Sequence, residues 1–62
     1  MNNLTPREKD VTNLVLKGMY NKEIADELGK SVQTVKNQLV SIYDKIGVRS
    51  KTELAIRFLK GD

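Results

Sequence analysis

The sequence contains no cysteine, no histidine and no tryptophan, and it has a single proline and a single phenylalanine. Without cysteine there is neither a disulfide framework nor a thiolate metal site to supplement the core. Without histidine the commonest general base and the commonest metal ligand are missing. No glycine-rich phosphate loop is present either. We therefore expect no catalytic residue, no metal ligand, no cofactor and no small-molecule ligand in this segment. The only acidic cluster, Glu23, Asp26 and Glu27, reads as a solvated helix face. No apolar run is longer than that of Leu14-Val15-Leu16, far short of the ~20 residues that span a bilayer. No basic stretch leads into an apolar segment after Met1, so there is no signal peptide in view and the expected location is the cytoplasm.

What is present is short and charged. Sixty-two residues make one domain, and a chain of this size buries only roughly 60% of the surface its unfolded form exposes. Net charge is +3, unevenly distributed: residues 1–27 carry −1, residues 28–51 carry +4, and residues 52–62 are neutral. A basic middle segment between neutral or acidic ends is the pattern of a polyanion-facing surface, and equally of a plain solvated face.

Helix boundaries are marked by caps. Thr5-Pro6-Arg7-Glu8 combines an N-cap hydroxyl, proline at the first helical position and glutamate at the third. Val11, Leu14 and Val15 follow at helical spacing, and Gly18 closes the segment. Asn21 is placed to cap a second helix with Ile24, Ala25 and Leu28 on one stripe, ending at Gly29. Ser31 caps a third, whose buried stripe is Val32, Val35, Leu39, Ile42 and Ile46, ending near Gly47. Ser50-Lys51-Thr52-Glu53 is a second capping box leading into Leu54, Ala55, Ile56, Phe58 and Leu59. No segment alternates with period two, so the expected class is all-α with four helices.

The second and third helices are joined by Gly29-Lys30-Ser31 alone. Counting from Asn21, a small residue stands fifth (Ala25), glycine ninth (Gly29) and a β-branched apolar residue fifteenth (Val35). Ala25 lets the two helices approach, Gly29 permits the reversal without a Cβ penalty, and Val35 closes the contact. These spacings predict a helix-turn-helix unit over about residues 21–40, with its second helix reading the major groove. A generic helical hairpin inside a small bundle is the plainer alternative.

The stretches Leu4-Thr5-Pro6-Arg7-Glu8, Gly18, Asn21-Lys22-Glu23-Ile24-Ala25, Leu28, Ser31, Thr34-Val35-Lys36 and Lys45-Ile46-Gly47-Val48 resemble the LuxR/GerE-type DNA-binding domains. The resemblance runs from Leu4 to about Leu59. It implies a four-helix domain within a bacterial transcription regulator, a third helix in the major groove and a fourth helix that makes a homodimer. Tyr20 and Gln38 depart from the family pattern, where serine and histidine are frequent, and Lys51 replaces a common arginine.

By helical rotation the outer face of the third helix presents Gln33, Lys36, Asn37, Val40, Ser41 and Asp44. Lys36, Asn37 and Val40 are the first choices for base contacts, and the resemblance points to the same positions. Lysine donates to guanine, asparagine pairs with adenine and valine meets a thymine methyl. Gln33 is a fourth candidate reader. Ser31, Thr34 and Ser41 are candidates for the DNA backbone, with Asn21 and Lys22 at the start of the second helix. Lys30, Arg49 and Lys51 add sequence-independent attraction. In the last helix Leu54 and Phe58 fill the core, leaving Ile56 and Leu59 as a self-complementary patch for a weak homodimer. The expected partner is double-stranded DNA at the bacterial nucleoid, with RNA polymerase or an absent regulatory domain as protein partners. Were such a regulatory domain missing, the segment would bind DNA constitutively. A protein-docking module is the rival reading, distinguished by its indifference to salt.

Overall fold

The computed structural model describes residues 3–59. They form α1 (Pro6–Leu16), α2 (Asn21–Leu28), α3 (Val32–Ile46) and α4 (Lys51–Leu59). No strand occurs among the described residues, and the class is all-α.

Each helix starts where an oxygen satisfies its free N–H groups. Before α1, the Glu8 N–H donates to Thr5 Oγ1 (3.1 Å) and the Thr5 N–H to Glu8 Oε1 (2.9 Å), a complete capping box. At α3, Ser31 Oγ accepts from the Thr34 N–H (3.1 Å). Two starts differ from expectation. Asn21 is not the cap of α2 but its first residue, and Tyr20 precedes it in extended conformation. Tyrosine has no short acceptor to reach the helix, so only the glutamate half of a box forms: the Tyr20 N–H donates to Glu23 Oε1 (2.8 Å). At α4, Ser50 Oγ accepts from the Glu53 N–H (3.2 Å), but the Glu53 carboxylate takes the N–H of Arg49 (2.7 Å), one residue further out than a box requires.

The tight corner between α2 and α3 depends on Gly29. Its φ of +67° is left-handed, a region where a Cβ crowds the following carbonyl. In that conformation the Lys30 N–H turns back to Ala25 O (2.9 Å), and Ser31 can begin α3 at once.

α3 is the axis of the domain. Val35, Leu39 and Ile42 are buried against Val11 and Val15 of α1, Ile24 and Ala25 of α2 and Leu54 of α4, with Leu4 and Val48 closing the ends. Each fully buried aliphatic side chain contributes roughly 1.5–3 kcal/mol. The stripe is narrower than its spacing implied. Val32 remains 37% exposed, while Ile46 and Tyr43 are both half-buried and pack against the edge of the core. Two polar residues are also sealed in, Glu8 and Thr12, with Thr12 Oγ1 donating to Glu8 O (2.8 Å).

Candidate nucleic-acid interface

With one side of α3 committed to the core, the opposite side lies in solvent. Gln33, Lys36, Asn37, Val40 and Asp44 are all exposed there, Val40 to 67%. Lys36 has no ion-pair partner among the described residues. Gln33 Nε2 donates to Asn37 Oδ1 (2.9 Å), linking the two amides across one turn. Asp44 is two turns beyond Lys36, about 12 Å along the axis. Its charge would repel phosphates, so favourable approach to a polyanion concentrates on the N-terminal half of the helix.

That half opens with Ser31 and Thr34. Their hydroxyls are 2.9 Å apart and hydrogen-bonded, Ser31 exposed and Thr34 half-buried. Ser31 acts as a cap, yet both oxygens remain beside the positive end of the helix, where an anion is favoured. Lys22 and Lys30 are exposed and Lys51 is half-buried. Arg49 is exposed and held through its backbone by Glu53. Asn21 is half-buried at the first position of α2, and its Oδ1 is buried without a hydrogen-bond partner.

Ser41 departs from expectation. It is half-buried, and its hydroxyl donates to Glu8 Oε2 (2.8 Å) rather than facing the solvent side. The cause is rotational. Ser41 and Lys45 share an i, i+4 row set about 80–120° from the Gln33 row, and that row faces α1. Lys45 Nζ lies 2.8 Å from Glu8 Oε1, the one ion pair among the described residues. The Glu8 carboxyl is held at about 2, below its ordinary 4.5, by the Lys45 hydrogen bond first, then the Thr5 N–H and the Ser41 hydroxyl, against the opposing effect of burial. One cation of the basic middle segment is thus neutralised inside the fold. Sequence reasoning saw Glu8 only as a capping residue. The signal available for its second role was the shared row of Ser41 and Lys45.

On α4, Leu54 is fully buried and Phe58 packs at the core edge, while Ile56 is 47% and Leu59 84% exposed. Arg57 Nη1 donates to Ile46 O (3.1 Å), tying α4 to the C-terminal end of α3. A groove of about 230 Å³, lined by Leu4, Lys9, Thr12, Asn13 and Phe58, contains no residue of α3. Among the described residues no group of three or more Asp or Glu side chains is placed to hold a metal ion, and no helix is long and apolar enough to cross a membrane.

These features can be set beside known proteins. A family model described as "Bacterial regulatory proteins, luxR family" matches residues 2–58. The transcriptional regulatory protein YdfI of Bacillus subtilis is 46% identical over 59 residues, covering 94% of this chain and 28% of that protein. The transcriptional regulatory protein UhpA of Escherichia coli is 43% identical over 58 residues, covering 94% of this chain and 30% of that protein. The response regulator Rre1 of Synechocystis is 46% identical over 54 residues, covering 87% and 23%. The chain therefore spans less than a third of the length of these relatives. Among solved structures, the DNA-binding domain of the response regulator ComA, crystallised with the anti-activator RapF, matches with a TM-score of 0.83. Its identity is 43%, over 86% of this chain and 91% of that one.

Proposed function

The chain belongs to the luxR family of bacterial regulatory proteins as a helix-turn-helix DNA-binding domain, and on that premise we propose that Lys36, Asn37 and Val40 meet base edges in the major groove. The family is one of DNA-binding transcription regulators rather than enzymes. One observation carries the residue-level reading: the outer face of α3 holds an unpaired lysine and a 67%-exposed valine side by side between polar neighbours. An apolar side chain left in water beside a free cation suits a surface that offers both a thymine methyl and guanine acceptors. Ser31 and Thr34, with Asn21 and Lys22 from α2, contact the DNA backbone. Lys30, Arg49 and Lys51 contribute attraction without sequence preference. Ser41 has no part in this set, because its hydroxyl is held by Glu8.

Fluorescence anisotropy with mixed-sequence duplex DNA tests the reading. The five cations assigned to DNA (Lys22, Lys30, Lys36, Arg49 and Lys51) predict that affinity falls roughly 10²–10³-fold between about 50 and 200 mM salt. Lys36→Ala weakens binding further, by about 1–3 kcal/mol on a site where it reads guanine. Absence of binding at low salt would overturn the proposal and turn attention to protein docking.

Protein partners have support of their own, since the similar ComA domain was crystallised with an anti-activator. A regulatory domain and RNA polymerase are the corresponding proposals for this chain, in the bacterial cytoplasm at the nucleoid. We also propose a weak homodimer through Ile56 and Leu59, giving a two-fold operator with half-sites about one helical turn apart. Sedimentation with and without operator checks it; a strict monomer on a single half-site refutes it.

A further inference from the structure

Gln33, Asn37, Val40 and Asp44 follow one another at intervals of four, three and four residues, so they form a single stripe about 60° wide on the outer face of α3. All four are exposed. Asp44 is the only Asp or Glu between residues 28 and 51, and it stands about 6 Å beyond Val40 along the helix axis. Nothing in the fold favours a carboxylate there. Asp44 makes no ion pair among the described residues, and the adjacent Lys45 is engaged by Glu8. It also lies in the last turn of α3, where a negative charge opposes the helix dipole. An unpaired charge, set against the dipole on the face turned to a polyanion, breaks several local rules without structural compensation, and such breaks mark functional positions.

We propose that Asp44 is a specificity-determining residue that penalises sequence-independent binding and is accommodated only where an amino group of the DNA stands opposite. The proposal rests on the reading of α3 as the groove helix and adds the element of that face that rejects DNA. A carboxylate only accepts hydrogen bonds. The major-groove donors are cytosine N4 and adenine N6, whereas guanine N7 and O6, adenine N7 and thymine O4 are acceptors, as are the phosphate oxygens. On an arbitrary sequence Asp44 meets acceptors and phosphate charge, and the far half of α3 is held off. Where an amino group is in register, a charge-assisted hydrogen bond offsets that repulsion. The surrounding cations attract every duplex alike, so the discrimination they lack comes from a repulsive group.

The discriminating variant is Asp44→Asn, which keeps the size and removes the charge. Relief of the unfavourable dipole interaction leaves α3 intact. Anisotropy compares the 62-residue chain and the variant on a mixed-sequence duplex and on a duplex selected from randomised sequences. Asp44→Asn raises mixed-sequence affinity about 3–5-fold at about 50 mM salt, and the gain shrinks toward about 200 mM as the repulsion is screened. Affinity for the selected duplex rises by less than about 2-fold or falls, because the lost hydrogen bond cancels the lost repulsion. Renewed selection with the variant loses a preference for cytosine or adenine at one position. Asp10→Asn makes the same charge change at an exposed position of α1 and alters mixed-sequence affinity by less than about 2-fold.

An equal gain on both duplexes, an equal gain from Asp10→Asn, or no gain at all overturns the proposal, since each leaves Asp44 an ordinary surface charge. Loss of a preference for guanine or thymine overturns it too. The groove reading fails on different results, obtained without touching Asp44: the unmodified chain enriches no sequence, or Lys36→Ala leaves binding unchanged.

Discussion

Glu8 offers the sharpest test of how α3 is held. Its carboxylate receives the Lys45 ammonium (2.8 Å), the Ser41 hydroxyl (2.8 Å) and the Thr5 N–H (2.9 Å), so it joins the start of α1 to the inner flank of α3. Its pKa is held at about 2 against 4.5, by the Lys45 hydrogen bond above all. At about 1.4 kcal/mol per unit, full conversion would amount to about 3 kcal/mol. Lys45 is 33% exposed, however, and water screens that end of the pair, which brings the contribution to about 1–2 kcal/mol. The folded-state pKa lies below the unfolded one, so this stability is complete above about pH 5. It is lost as the pH falls from 4.5 toward 2. We predict that Glu8→Gln, which keeps the shape and removes the charge, is less stable than the unmodified chain by about 1–2 kcal/mol at pH 7. Most of that gap closes by pH 2.5. Urea unfolding followed by circular dichroism at pH 7, 4 and 2.5 measures it, and the difference between the two chains cancels the other carboxylates. A gap that stays constant across this range would refute the electrostatic argument and leave only geometry.

Two further substitutions separate backbone conformation from packing. An ideal Cβ at Gly29 meets no atom within 4 Å, so Gly29→Ala is opposed only by its φ of +67°. It lowers stability by about 1 kcal/mol, or about 4–8 °C in melting temperature for a domain of this size. Gly29→Asn recovers part of the loss, because asparagine tolerates the left-handed region; equal melting of both variants would contradict this account. Leu54→Ala empties a fully buried site and removes about 2–5 kcal/mol, enough to abolish cooperative melting in so small a domain. Leu59→Ala, at an 84%-exposed position, changes the melting of the dilute chain by no more than about 0.5 kcal/mol. A reversed order in far-ultraviolet melts would show that α4 packs differently.

The legible parts of this fold are those decided within a turn or two of chain. Thr5 with Glu8, Ser31 as a cap and glycines at 18, 29 and 47 announce helix ends because the bonds involved join residues three to five apart. The start of α2 differs by one residue because side-chain type favours Asn21 as the cap, whereas the carboxylate of Glu23 reaches the Tyr20 N–H without an acceptor from the Tyr20 side chain. Ser41 was illegible for a different reason. Its position on the flank of α3 follows from rotation, but which helix covers that flank is a matter of tertiary docking, and its bond to Glu8 spans 33 residues. The same docking corrects the electrostatics. Residues 28–51 carry +4 by count, yet Lys45 is neutralised by a carboxylate from the acidic N-terminal segment, which leaves +3 to attract DNA. A segment's formal charge is thus an upper bound on what it shows a polyanion. In this domain the withdrawn charge anchors the far half of α3, so the free cation at Lys36 and the paired amides of Gln33 and Asn37 are presented from a helix whose opposite flank is held fast.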